Sequence, residues 1–261
     1  MSKEQQKYLN NIKKEKIIIK IIQLSLIFII LLLWEYLTYK GIISSFIYSS
    51  PSRIYKTLIE LFNNNLFIHI YTTLKEVIIS FIIGNILGFI IAIILYEFKI
   101  LSKILDPFLT MLNSLPKIAL GPLIIIIFGS NIKSIIIMAL LINLIISIIT
   151  IYNGFINTNE YELKLFKTLN ASKMQTLFML IIPSSYSTII SSFKLSIAQT
   201  LVGVIMGEFL VSKEGIGYLI VYGRQVFNLD YVMTGIILLS IMSYLLYKLV
   251  IILENKLLKY K

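Results

Sequence analysis

Apolar residues gather into six long runs, separated by shorter stretches that hold most of the charges. The runs lie at about Ile17–Leu37, Ile70–Tyr96, Phe108–Phe128, Ile135–Tyr152, Tyr186–Glu208 and Val232–Leu253. Each reaches the roughly 18 residues that a helix needs to cross a bilayer. The pattern predicts an all-α integral membrane protein with about six transmembrane helices. The first run follows a basic stretch, as a signal peptide does, but it is long and no small-x-small cleavage site follows, so an uncleaved span is expected. Residues 1–16 are read as a basic tail and 17–261 as a single transmembrane domain.

Composition agrees with this pattern. The 261 residues are 57% hydrophobic and 14% charged, with a mean hydropathy of +0.88, whereas soluble domains carry about 25% charged residues. The net charge of +11 does not form one basic face, which argues against nucleic acid. Lysines instead flank the apolar runs and report topology. With six spans, one side holds 15 Lys and Arg: Lys3, Lys7, Lys13, Lys14, Lys16, Lys20, Lys99, Lys103, Lys164, Lys167, Lys173, Lys248, Lys256, Lys259 and Lys261. The other side holds six: Lys40, Arg53, Lys56, Lys133, Lys213 and Arg224. Both termini, Met1 and Lys261, are therefore expected in the cytoplasm of a cell whose plasma or inner membrane the chain crosses.

Chemistry is sparse. There is no cysteine and one histidine, His69, so neither a metal site nor a cofactor is expected. His69 reads as a residue at a loop end, and Trp34 as an interfacial anchor. No G-x-x-x-x-G-K-[ST] phosphate cradle, G-x-S-x-G or HExxH occurs, so no catalytic residues and no ATPase of its own are expected.

The segment at about 154–183 departs from a plain connection. Asn159 can cap a short helix, with Glu162 three positions on. Tyr161, Leu165 and Leu169 then share one face. Asn170 suits the left-handed conformation that ends helices, and Ser172 with Gln175 makes a capping box that starts a second helix. Pro183 disturbs that helix. The pattern predicts a helix–turn–helix knob, either lying on lipid headgroups or docking a partner protein.

Four features in the spans have two readings each. Pro107, Pro116 and Pro122 predict a broken third span, serving either a transport pathway or packing alone. Gly84/Gly88 and Gly203/Gly207 form G-x-x-x-G pairs, which suit close helix packing or a gate. Glu208 and Lys194 are intramembrane charges, either lining a path or reaching the interface, Lys194 by snorkelling. Asn143, Ser147 and Thr150 share one side of the fourth span, facing a path or bonding a neighbouring helix.

Several segments, taken in order, resemble a known family. Thr168-Leu169-Asn170-Ala171-Ser172, with Pro183 beyond, resembles the EAA…G loop of binding-protein-dependent ABC importer permeases of the nitrate/sulfonate/taurine type. Trp34-Glu35, Pro51-Ser52-Arg53-Ile54, the stretch Leu115-Pro116-Lys117-Ile118-Ala119-Leu120-Gly121-Pro122-Leu123, Phe128-Gly129, and Gly215-Ile216-Gly217-Tyr218-Leu219-Ile220 resemble other signatures of that family. Two departures stand out. Lys164-Leu165-Phe166 replaces Glu-Ala-Ala, and Asn170 replaces the family's glycine.

The resemblance implies a type I importer permease, itself not an enzyme, that pairs with a second copy of itself. It implies cytoplasmic ABC ATPase subunits that receive Lys164, Leu165, Phe166, Leu169, Asn170, Ala171, Ser172 and Lys173. It also implies an extracytoplasmic binding protein that delivers a small solute of the nitrate, sulfonate, taurine or vitamin-precursor class. The translocation path would involve Pro116, Pro122, Asn143 and Glu208. An ion-coupled secondary transporter is the alternative. It would show inverted repeats and coupling charges at mid-bilayer.

Overall fold

The computed structural model describes residues 3–258. Lys259 and Lys261, which the charge count includes, and Met1, whose side of the membrane it was used to assign, lie outside them. The described residues contain no strand. In chain order the helices are α1 Lys3–Tyr39, α2 Ser45–Tyr48, α3 Pro51–Asn63, α4 Leu66–Glu97, α5 Lys99–Ser114, α6 Gly121–Phe128, α7 Ile132–Ile156, α8 Glu160–Thr168, α9 Lys173–Thr176, α10 Ile182–Ser184, α11 Tyr186–Val211, α12 Ile216–Gln225 and α13 Leu229–Leu258. Among the described residues five stretches are long and apolar enough to cross a membrane, and there are six if the bent pair Lys99–Ser114 and Lys117–Phe128 is one span. The chain divides into two compact units. One takes the chain up to Asn64 together with Gly223–Thr234, and the other takes Asn65–Tyr222 and the chain from Gly235 on.

In the first unit, the basic tail is already helical from Lys3 and continues as the first span. At its far end, Glu35 accepts hydrogen bonds from the Ser52 N–H and hydroxyl, at 3.0 and 2.8 Å. Ser50 caps α3, and Pro51 occupies its first turn, where a missing N–H costs nothing. Arg53 pairs with Asp230 at 2.7 Å, and the Ser49 hydroxyl donates to the same carboxylate at 2.6 Å. These bonds join the Trp34-Glu35 and Pro51-Ser52-Arg53 motifs, far apart in sequence, into one polar cluster.

In the second unit, α7 packs against both α4 and α11, and glycines set the spacing. A Cβ placed on Gly203 would lie 2.6 Å from the Ala139 Cα, and one on Gly207 would lie 2.9 Å from the Ile135 Cα. On the other face of α7, a Cβ on Gly88 would lie 2.7 Å from that of Ser147. Both G-x-x-x-G pairs therefore serve close approach to α7, which gains dispersion contacts that lipid would not supply. Polar side chains knit the same helices. Asn85 donates to Ser196 at 2.7 Å and accepts from Ser147 at 3.1 Å. Asn143 accepts from Ser196 and donates to the Ser80 carbonyl. Around this network lie apolar residues including Val77, Val204, Leu246 and Val250.

The third span is broken, as its prolines predict, but it is longer than the run expected at Phe108–Phe128. It begins at Lys99, so Lys99 and Lys103 stand on α5 rather than in a connection. It then bends by 87° between α5 and the segment Lys117–Phe128. Pro107 lies inside α5 without ending it. The break falls at Leu115, whose extended backbone (φ −62°, ψ 137°) is the conformation that a following proline favours. Lys117–Leu120 forms one 3₁₀ turn, and Pro122 sits in the first turn of α6. Lys194 differs too. Instead of snorkelling, it pairs with Glu254 of α13 at 2.6 Å.

Candidate functional site

The knob between α7 and α11 is built by local capping. The Asn159 side chain accepts from the Tyr161 N–H at 2.9 Å and starts α8. At the other end Asn170 has φ +52°. Its N–H donates to the Lys167 carbonyl and that of Ala171 donates to Phe166, both at 3.0 Å. This pair of bonds is the Schellman arrangement, with asparagine at the left-handed position that glycine more often fills. Ser172 and Gln175 then form both halves of a capping box, at 3.2 and 2.8 Å. Two caps back to back leave one sharp turn, so the corner is fixed by five residues from Leu169 to Lys173.

Beyond α9 the chain widens into a π-helical stretch, Leu177–Ile181, before α10 and α11. Leu177 and Ile181 are buried with Ile151, Phe155 and Ile189, anchoring the knob to α7 and α11. The Ser185 hydroxyl donates to the Gly154 carbonyl at 2.8 Å and closes its base. The opposite face is open. Tyr161, Leu165 and Leu169 are exposed, and the Lys164 ammonium lies 5.8 Å from the Tyr161 ring centre. Phe166 and Ala171 are half-buried at the turn, while Asn170, Ser172 and Lys173 are exposed. The eight residues expected at a coupling surface thus form one continuous corner.

The remaining candidates do not come together as one site. Pro116 and Pro122 are exposed on the broken span. Asn143 is fully buried in the α4–α7–α11 network. Glu208 lies at the end of α11 opposite the knob, 1% exposed. Its carboxylate accepts from the Thr73 hydroxyl at 2.6 Å and the Gly217 N–H at 2.5 Å. Thr73 also accepts from the Ile216 N–H at 2.8 Å, and His69 Nδ1 accepts from the Gly215 N–H at 3.1 Å. Three side chains from α4 and α11 therefore cap the start of α12, whose orphan N–H groups need acceptors. A Cβ on Gly217 would lie 2.7 Å from the Glu208 carboxylate, and Gly215 has φ +111°. Both glycines of the G-I-G-Y motif are accounted for.

Sequence reasoning overlooked Thr73 and Glu76 and took His69 for a loop end. Glu76 is 1% exposed and brings a second carboxyl up to Glu208. A charged pair of positions inside an apolar run, Lys75-Glu76, was the available signal. His69 also stacks on Tyr218, with ring centres 6.0 Å apart.

A helical membrane domain with a broken span and a doubly capped knob between two packed spans is the arrangement that the resemblance to an ATP-driven importer's permease implies. The comparisons with known proteins agree. The chain belongs to the family of binding-protein-dependent transport system inner membrane components, which residues 84–259 match. It is 28% identical to the putative aliphatic sulfonates transport permease protein SsuC of Bacillus subtilis, over 89% of this chain and 85% of that one. It is 26% identical to the formylaminopyrimidine transport permease protein ThiX of Halalkalibacterium halodurans, over 89% and 92%. A solved inward-facing structure of the MetNI methionine ABC transporter superimposes with a TM-score of 0.64 at 17% identity, over 71% of this chain and 93% of that one. The fold is that of a type I ABC importer permease, and the chain is the membrane-spanning subunit of such an importer.

Proposed function

We propose that this permease pairs with a second copy of itself and with two cytoplasmic ATPase subunits. An extracytoplasmic binding protein delivers the solute. The names of the relatives favour a small solute of the sulfonate, taurine or vitamin-precursor class. The broken span with Pro116 and Pro122 lines the path, while Asn143 and Glu208 hold the helices beside it. ATP binding draws the ATPases together, and the knob carries that movement into the spans. The observation that carries this reading is the knob itself: a rigid corner with an exposed apolar stripe of Tyr161, Leu165 and Leu169. Lys164 stands where the family has an acidic residue, so the ATPase groove should present an acid or a neutral group there.

The test is at Asn170. Asn170→Gly should preserve ATPase co-purification and solute-stimulated hydrolysis. Asn170→Val should impair both, because a β-branched residue at positive φ costs on the order of 1–2 kcal/mol. That strain should distort the corner while the protein still reaches the membrane. Coupling of Asn170→Val at the wild-type level would defeat the docking assignment. Orientation is tested separately in this cysteine-free chain. A single cysteine at position 64 should react with an impermeant thiol reagent from outside the cell, and one at 159 should not. The reverse pattern would invert the topology.

A further inference from the structure

At the knob end of the second unit, the corner between α4 and α5 stands opposite α8 and the π-helical stretch. Between them is a cleft of about 980 Å³, a size that accommodates small-molecule ligands. Its walls are apolar, with Phe98 and Ile104 on one side and Leu163 and Ile181 on the other. Lys99, Lys167 and Lys173 also line it, against one acid, Glu97. Among the described residues none of these lysines has an ion-pair partner. The cleft therefore combines an excess of positive charge with an oily wall.

That combination selects among occupants. A small inorganic anion would satisfy the lysines and leave the apolar walls wet. A neutral hydrocarbon chain would cover the walls and leave the cations without counter-charge. An amphiphile with an acyl chain and an anionic phosphate uses both halves, and the cleft adjoins membrane-spanning helices. We infer that the cleft binds an anionic phospholipid, with its phosphate among Lys99, Lys167 and Lys173 and an acyl chain along Phe98, Ile104, Leu163 and Ile181. Because Lys167 and Lys173 belong to the knob, the bound lipid ties the knob to the α4–α5 corner. Membrane composition thereby tunes coupling. The regulatory consequence rests on the proposed ATPase docking, whereas lipid binding itself does not.

The experiment uses the full-length permease without its partners, so its outcome is independent of the transport reading. Native mass spectrometry measures retention of phosphatidylglycerol against phosphatidylcholine. The wild type should retain phosphatidylglycerol preferentially. Each of Lys99→Gln, Lys167→Gln and Lys173→Gln should lower that preference about five-fold, since one lysine near an anionic headgroup is worth about 1 kcal/mol. Equal changes in Lys14, Lys16 and Lys20 should leave it intact. Ile104→Trp, which narrows the acyl-chain side of the cleft and keeps every charge, should also lower the preference. Equal retention of both lipids by the wild type would overturn the inference without recourse to any variant. So would competition by excess inorganic phosphate together with an unaffected Ile104→Trp, which would identify a free-anion site. A cysteine at position 104 that crosslinks to the ATPase in the assembled transporter would put protein in the cleft and overturn it as well.

Discussion

The first span and α7 are almost equally apolar, with mean hydropathies of 2.7 and 2.8 in their best windows. Yet none of the α1 window is buried, and 56% of the α7 window is. Hydropathy carries both into a bilayer, but it does not say which of them will find a protein neighbour. The difference lies in the small and polar positions. Along α7, Ala139, Asn143 and Ser147 meet glycines and hydrogen-bonding groups of α4 and α11. The stretch Leu26–Leu33 of α1 has no small or polar residue at all. Lipid tails solvate leucine as well as another leucine does, so association needs close backbone approach or a polar contact.

Three substitutions put this contrast at risk. The largest effect is expected from Gly203→Leu. Its Cβ would press on the Ala139 backbone, which no rotamer change relieves, so about 3 kcal/mol or more of destabilisation is expected. A thermal-unfolding assay in detergent should show a large fall in Tm, and an unchanged Tm would mean that α7 and α11 are not this close. An intermediate effect is expected from Gly84→Ala, whose methyl would meet the Asn143 amide. It should cost about 1–2 kcal/mol alone and markedly less in an Asn143→Ala background, where the obstructing amide is gone. Additive losses in that double-mutant cycle would deny the contact. The smallest effect belongs to Leu26→Ala in α1, expected within about 0.5 kcal/mol. A loss there as large as that from Gly84→Ala would mean that protein covers α1 in the purified permease, and the contrast would fail.

The sequence made the spans, the knob and its caps legible because these are local. Apolar run length, Asn159, Asn170 and the Ser172–Gln175 pair act within a few residues of themselves. The bend was legible in kind from Pro116, though not in place. Pro107 lies quietly inside α5, and α5 starts nine residues before the apolar run that marked the span. The contacts of Glu208 were out of reach. Its acceptors' partners, Thr73 and the Gly217 N–H, come from opposite directions along the chain, and no spacing rule links position 73 to 208. Lys194 is similar, since the choice between snorkelling and an ion pair depends on where Glu254 lands.

The cap of α12 has a further consequence. Its three amide hydrogens, on Gly215, Ile216 and Gly217, bond to side chains from two different spans over 2.5–3.1 Å. Hydrogen bonds fade quickly beyond that range, so a relative slide of about an ångström between α4 and α11 breaks either the two bonds to α4 or the one to α11. These amides act as a built-in displacement gauge. Deuterium uptake at the three positions reads the separation of two membrane helices without any label on either of them.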